Sequence, residues 1–169
     1  MDSNVIFIEK QKFRQWWVIL IIIALNALTA YGIISQLLIG KPFGQHPMSD
    51  FWLNVTAFLV FLLSLFILIL RLETHVSSDG ISVRFFPLHL KFKKFSWDAI
   101  SECYVREYAP IGEFGGWGLR IGLFGQGNAW NVAGNKGLQI QFKNGKKLLI
   151  GTQKPDLIFE ALEKIKSTK

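Results

Sequence analysis

The sequence predicts a mixed α+β, mainly β chain. A hairpin of two membrane-length helices comes first, then a small antiparallel β-sandwich or partly open barrel of about seven strands, capped by one C-terminal helix. Three observations carry that expectation. Two apolar runs, 16–39 and 51–70, contain no charged side chain. The chain after them breaks into short alternating runs separated by Gly, Asn and Pro. From Pro155 the period changes to that of an amphipathic helix.

Each apolar run is about 20 residues or slightly longer, which spans the roughly 30 Å hydrocarbon layer of a bilayer at 1.5 Å per residue. Both are apolar all round, whereas a core helix of a soluble protein keeps a polar back. A signal peptide would have a shorter apolar core, and here the polar turn 41–50 leads straight into a second run. Lys10, Lys12 and Arg14 precede the first run, Arg71 follows the second, and the turn holds only Lys41. This bias places both termini in the cytoplasm and the turn outside. Trp16, Trp17 and Trp52 stand near the ends of the runs, where indole rings favour the interfacial layer. Asn26 and Asn54 are candidates for a hydrogen bond across the hairpin or to another copy. No acid or base lies within the runs, which argues against a proton relay or ion route. The chain therefore divides into an N-terminal cytoplasmic segment, 1–15, a transmembrane hairpin, 16–70, and a cytoplasmic domain, 71–169.

The net charge is +7, and the single cysteine, Cys103, excludes an internal disulfide. It reads as a small buried or half-buried thiol. His46, His75 and His89 are not at metal-ligand spacing, so neither a metal nor a cofactor is expected.

In the domain, Asp79-Gly80 marks a hairpin turn after Thr74–Val76 and before Ile81–Phe86. Leu88, Leu90 and Phe92 alternate with His89, Lys91 and Lys93, the pattern of a half-buried strand. Ser96–Ile100 reads as a corner with Trp97 and Ile100 turned inward. Strands are expected at Ser101–Glu107, Trp117–Phe124, Ala129–Val132, Leu138–Phe142 and Lys147–Ile150, the last two joined through Asn144-Gly145. In the closing helix Pro155 suits the first position, and Ile158, Ala161, Leu162 and Ile165 form one apolar face.

This layout resembles the bacterial pleckstrin-homology-like (PH-like) membrane proteins, in which one or two spans precede such a domain. The residues that carry the resemblance are Ser78-Asp-Gly-Ile81, Trp97-Asp-Ala-Ile100, Gly115-Gly-Trp-Gly-Leu-Arg120, Gly134-Asn-Lys-Gly137 and Ile150-Gly-Thr-Gln-Lys-Pro155. The resemblance implies a PH-like fold at the inner membrane of a bacterium and no particular activity. Eukaryotic relatives hold inositol phosphates on a basic first-hairpin loop. Ser77-Ser-Asp-Gly80 carries an acid there and no Lys or Arg, which departs from that pattern.

Two surfaces are candidates for contact. Arg84, His89, Lys91, Lys93 and Lys94 form a basic strip near the second run, and each such charge is drawn to an anionic lipid surface by about 1 kcal/mol. The alternative is an ordinary solvated strand face. Trp117, Arg120 and Trp130 could anchor a protein partner, although Arg120 is the more readily explained by pairing with Glu102, Glu107 or Glu113. The glycines from Gly115 to Gly127 match no nucleotide-binding fingerprint and read as turns and bulges. The basic residues are too dispersed for nucleic-acid binding. No catalytic set emerges, so the expectation is no enzyme. It is instead a membrane-anchored scaffold or binding module acting by protein contact or self-association. Anionic-lipid sensing is the alternative, and an accessory subunit of a transporter or membrane enzyme the second alternative.

Overall fold

The computed structural model describes residues 5–122 and 125–167. They fall into two units. One is Phe13–Ile69, and the other joins the chain up to Lys12 with the chain from Leu70 onward.

The first unit is a helical hairpin. Helix α1, Trp16–Ile33, continues into a wider π-helical turn, Ile34–Leu38, and helix α2 covers Asp50–Ile69. Both helices are long and apolar enough to cross a membrane. They bury little between them: Ile23 is 63% exposed and Phe58 60% exposed. The polar contact between them is not the Asn26–Asn54 pair. Asn26 donates from Nδ2 to Ser64 Oγ at 2.7 Å and to Ile22 O at 2.8 Å, while Asn54 turns back onto Asp50 O. Depth explains the choice, because in an antiparallel pair Ser64 lies level with Asn26 and Asn54 lies nearer the turn. Gln36 closes the connection by donating to Met48 O and Asp50 Oδ1.

The second unit contains two sheets and no closed barrel among the described residues. The first sheet has strands β1, Val5–Lys12, β2, Arg71–Ser77, β3, Gly80–Phe86, and β4, Lys93–Ser96, in that order and all antiparallel. The segment expected to stand apart at 1–15 thus supplies a strand, and the hairpin is an insertion between two paired strands. Lys12 lies opposite Arg71. The turn at Ser77–Gly80 joins β2 to β3 rather than the first two strands. Gly80 has φ 151°, and a Cβ there would run into the Phe95 carbonyl.

The second sheet has β5, Ile100–Glu107, β6, Gly118–Ile121, β7, Asn128–Asn131, β8, Lys136–Phe142, and β9, Lys147–Gly151. Their order is β5-β8-β9-β7-β6. One pair departs from the all-antiparallel expectation. Strand β9 inserts between β7 and β8, and being antiparallel to β8 it runs parallel to β7. Gly145, with φ 79°, makes the turn between β8 and β9. The expected strand Trp117–Phe124 is shorter, and Leu123 and Phe124 lie outside the described residues. The loop before it holds a short helix α3, Pro110–Phe114.

Helix α4, Pro155–Ser167, packs against strands of both sheets, and Ile158, Ala161, Leu162 and Ile165 are its buried residues. They meet a core built from Leu72, Val76, Ile81 and Phe85 of the first sheet and Leu138, Ile140 and Ile150 of the second. Asp156 stands in the first turn and Lys164 and Lys166 in the last, matching the helix dipole.

Candidate functional site

The expected half-buried strand from Leu88 to Lys93 is absent. Residues 87–92 form turns and bends, and pairing with β4 begins only at Lys93 opposite Val83. Pro87 has no N–H to give a ladder, so β3 ends its pairing at Phe86. As a result Leu88 is 53% exposed and Leu90 72% exposed, where inward positions were expected.

The basic strip is dispersed by the same change. Arg84 projects from the outer face of the first sheet, and Lys91 lies exposed in the bend. His89 stacks on Trp130 at 4.6 Å between ring centroids, and Lys93 Nζ sits 4.9 Å above the same indole. Lys94 lies on β4 opposite Ser82. Burial lowers the His89 pKa, and the Lys93 charge adds to the effect.

What the structure assembles instead is a cluster around Glu73. Glu73 is only 1% exposed and lies opposite Arg84 on β3 and Lys10 on β1. Arg84 reaches Glu73 Oε2 from Nε at 2.8 Å and from Nη2 at 2.7 Å, and Arg71 Nε is 2.7 Å from Oε1. Both guanidinium groups lie over aromatic faces, Arg71 on Phe86 at 4.6 Å and Arg84 on Phe92 at 4.5 Å. His75 completes the cluster against Phe92 at 4.6 Å. Its pKa is lowered mainly by burial, with Glu73 pulling the other way and Lys10 and Arg84 lowering it further. Lys12 stands beside Arg71 on the neighbouring strand. One buried carboxylate thus fixes two arginines whose planar forks suit phosphate or carboxylate oxygens. Sequence reasoning took Arg84 for part of a strip and missed Glu73 and Arg71. The signal that groups them is strand register, which only the pairing of β1, β2 and β3 reveals.

Trp117, Arg120 and Trp130 do not form one surface. The register sets Leu119 opposite Trp130 and Arg120 opposite Ala129, so Arg120 and Trp130 project to opposite sides of the sheet. Trp130 is buried, with His89 and Lys93 over it. Trp117 donates from Nε1 to Gly134 O. Arg120 is exposed and donates from Nε to Trp117 O at 3.0 Å. The expected carboxylate pairing belongs to Arg106, which grips Glu113 Oε2 at 2.7 Å and lowers that carboxyl's pKa. Near this site Tyr108 accepts a hydrogen bond from Asn131 Nδ2 at 2.9 Å, and burial raises the phenol's pKa. Cys103 sits half-buried on β5, and desolvation pushes its thiol up to about 12.

A family model described as a family of unknown function (DUF6141) matches residues 1–167. The chain belongs to that family. The match runs through the hairpin and both sheets. No curated protein and no solved structure matches the chain.

Proposed function

We propose that this chain is a membrane-anchored binding module, PH-like in its domain, that holds another polypeptide at the cytoplasmic face of a bacterial inner membrane and carries out no reaction of its own. Anchoring is supported by helices α1 and α2, whose apolar side chains are mostly exposed outside the face where the two helices meet. If both helices cross, the pairing of β1 with β2 requires the two ends of the hairpin to lie on the same side. The excess of Lys and Arg near those ends supports the cytoplasm as that side. A four-stranded antiparallel meander, a second sheet and one closing helix support the PH-like assignment. The inserted hairpin and the β6–β7 pair are additions to that plan.

The observation that carries the binding reading is the free edge of β6. Among the described residues this strand pairs only with β7, and its Ile121 is 83% exposed beside the exposed Arg120. An open edge with an apolar side chain is a template for an added strand. The partner is another protein or a second copy of this chain. A benzophenone amino acid at position 120, in native membranes, should give one defined adduct after irradiation, of doubled mass for self-association or another mass for a different protein. The same adduct pattern from the exposed turn position 143 would overturn the reading.

The arginine pair on Glu73 supports a second reading, contact with an anionic lipid surface. Arg71 follows α2 by two residues, and Lys12 precedes α1 by four. Both stand where headgroup phosphates would lie if those helices cross.

A further inference from the structure

We infer that the loop from Pro87 to Phe92 dips into the interfacial layer of an anionic bilayer, with Leu88 and Leu90 as apolar anchors and Lys91 among the headgroups. The inference rests on the reading that α1 and α2 cross that bilayer, and it adds a second, reversible point of contact.

Three observations carry it. The loop begins immediately after Phe86, which faces Arg71 across the sheet at the roughly 5 Å separation of paired strands. Arg71 is in turn two residues from the end of α2 along the chain. Leu88 and Leu90 are 53% and 72% exposed on a short segment between stacked aromatic residues, Phe86 under Arg71 and Phe92 under Arg84. Apolar side chains this exposed gain by leaving water. The groups around them are basic: Lys91 in the loop, Lys93 over Trp130, and Arg71 and Arg84, whose combined charge exceeds that of Glu73. Leucines on a loop with cations within it and over the rings at its two ends fit a surface that is negative outside and apolar beneath. A protein groove would have to offer both features at the same spot.

The test uses the full chain with Cys103→Ala and one new cysteine, Leu90→Cys, carrying a nitrobenzoxadiazole label. The protein is reconstituted in vesicles of phosphatidylglycerol and phosphatidylcholine. Ile111→Cys is the reference, because Ile111, at 70%, is about as exposed as Leu90 but lies on α3. Lipid-borne doxyl groups should quench the label at position 90 and leave that at position 111 bright. Quenching should weaken in vesicles of phosphatidylcholine alone. Adding Lys91→Gln should lower the ratio of inserted to free loop about fivefold, the worth of one charge at an anionic surface. Equal quenching at the two positions, or no dependence on lipid charge, overturns the inference while leaving the anchoring intact, provided the chain still floats with the vesicles after an alkaline wash. A chain that washes off overturns both.

Discussion

Glu9 and Thr152, 143 residues apart in the chain, meet through a 2.6 Å hydrogen bond from the Thr152 hydroxyl to the Glu9 carboxylate. The other oxygen of Glu9 accepts the Gln153 amide at 2.8 Å. Gln11 adds a bond from Nε2 to Gly151 O at 2.6 Å. The first strand is thereby fastened to the step between the last strand and α4. Glu9 is 3% exposed, so its loss strands the buried Thr152 hydroxyl and the part-buried Gln153 amide. Glu9→Ala should destabilise the domain by about 2 kcal/mol or more. Hydrogen exchange at the Gln153 amide, measured on the full chain, should rise accordingly, and unchanged exchange would remove this contact from the account.

Residues 71–169 should not fold alone, because they lack β1 and its buried Phe7, Glu9 and Gln11. Joining Lys12 to Arg71 through an Asn-Gly turn, in place of 13–70, should restore a folded domain that needs no detergent. The two residues already face each other, and that dipeptide favours a tight hairpin. Size-exclusion chromatography and dispersed amide NMR spectra of the two proteins check this; a well-folded 71–169 fragment would contradict it.

Within the hairpin, Asn26 and Ser64 should couple by about 0.6 kcal/mol, the usual worth of such a bond between apolar helices. A double-mutant cycle with Asn26→Ala and Ser64→Ala, read by unfolding in micelles, measures it. Asn54→Ala should leave that packing unchanged, since Asn54 bonds its own helix.

Cys103 should resist iodoacetamide at neutral pH and react once denaturant is added. Burial holds its thiol near 12, far above the range in which a thiolate forms. Mass spectrometry of the native and denatured chain gives the two rates, and equal rates would show the thiol to be open.

Stability should fall in two stages on acidification. His75 and His89 are held below the ordinary imidazole pKa by burial, so near pH ~6.5 the unfolded chain binds more protons than the folded one. Their contribution is present above that range and is lost as the pH drops through it. Glu113 is depressed by its hydrogen bonds to Arg106, and its contribution disappears below the ordinary carboxyl value of 4.5. Thermal unfolding against pH should show both stages. His75→Gln with His89→Gln should flatten the first, and Glu113→Gln the second.

Local chemistry was legible in the sequence and pairing was not. Pro155 and the spacing of Ile158, Ala161, Leu162 and Ile165 identify α4 without any knowledge of its neighbours. Asn144-Gly145 likewise identifies the turn between β8 and β9. Strand β1 escaped because its inward side chains include Glu9 and Gln11, which look like a solvated flank until Gly151 and Thr152 are brought to them. The alternation from Leu88 to Lys93 misled because period two describes a strand only where a neighbour offers a ladder. The Glu73 cluster draws on three strands, two of them separated by the hairpin, so no window of sequence contains it.

Placing the apolar hairpin between β1 and β2 also sets an order of events at the ribosome. The first strand emerges early and waits, its edge unsatisfied, while both greasy helices and then its partner are synthesised. A nascent chain arrested before Arg71 therefore carries β1 without its β2 partner, a natural target for chaperones that recognise extended segments.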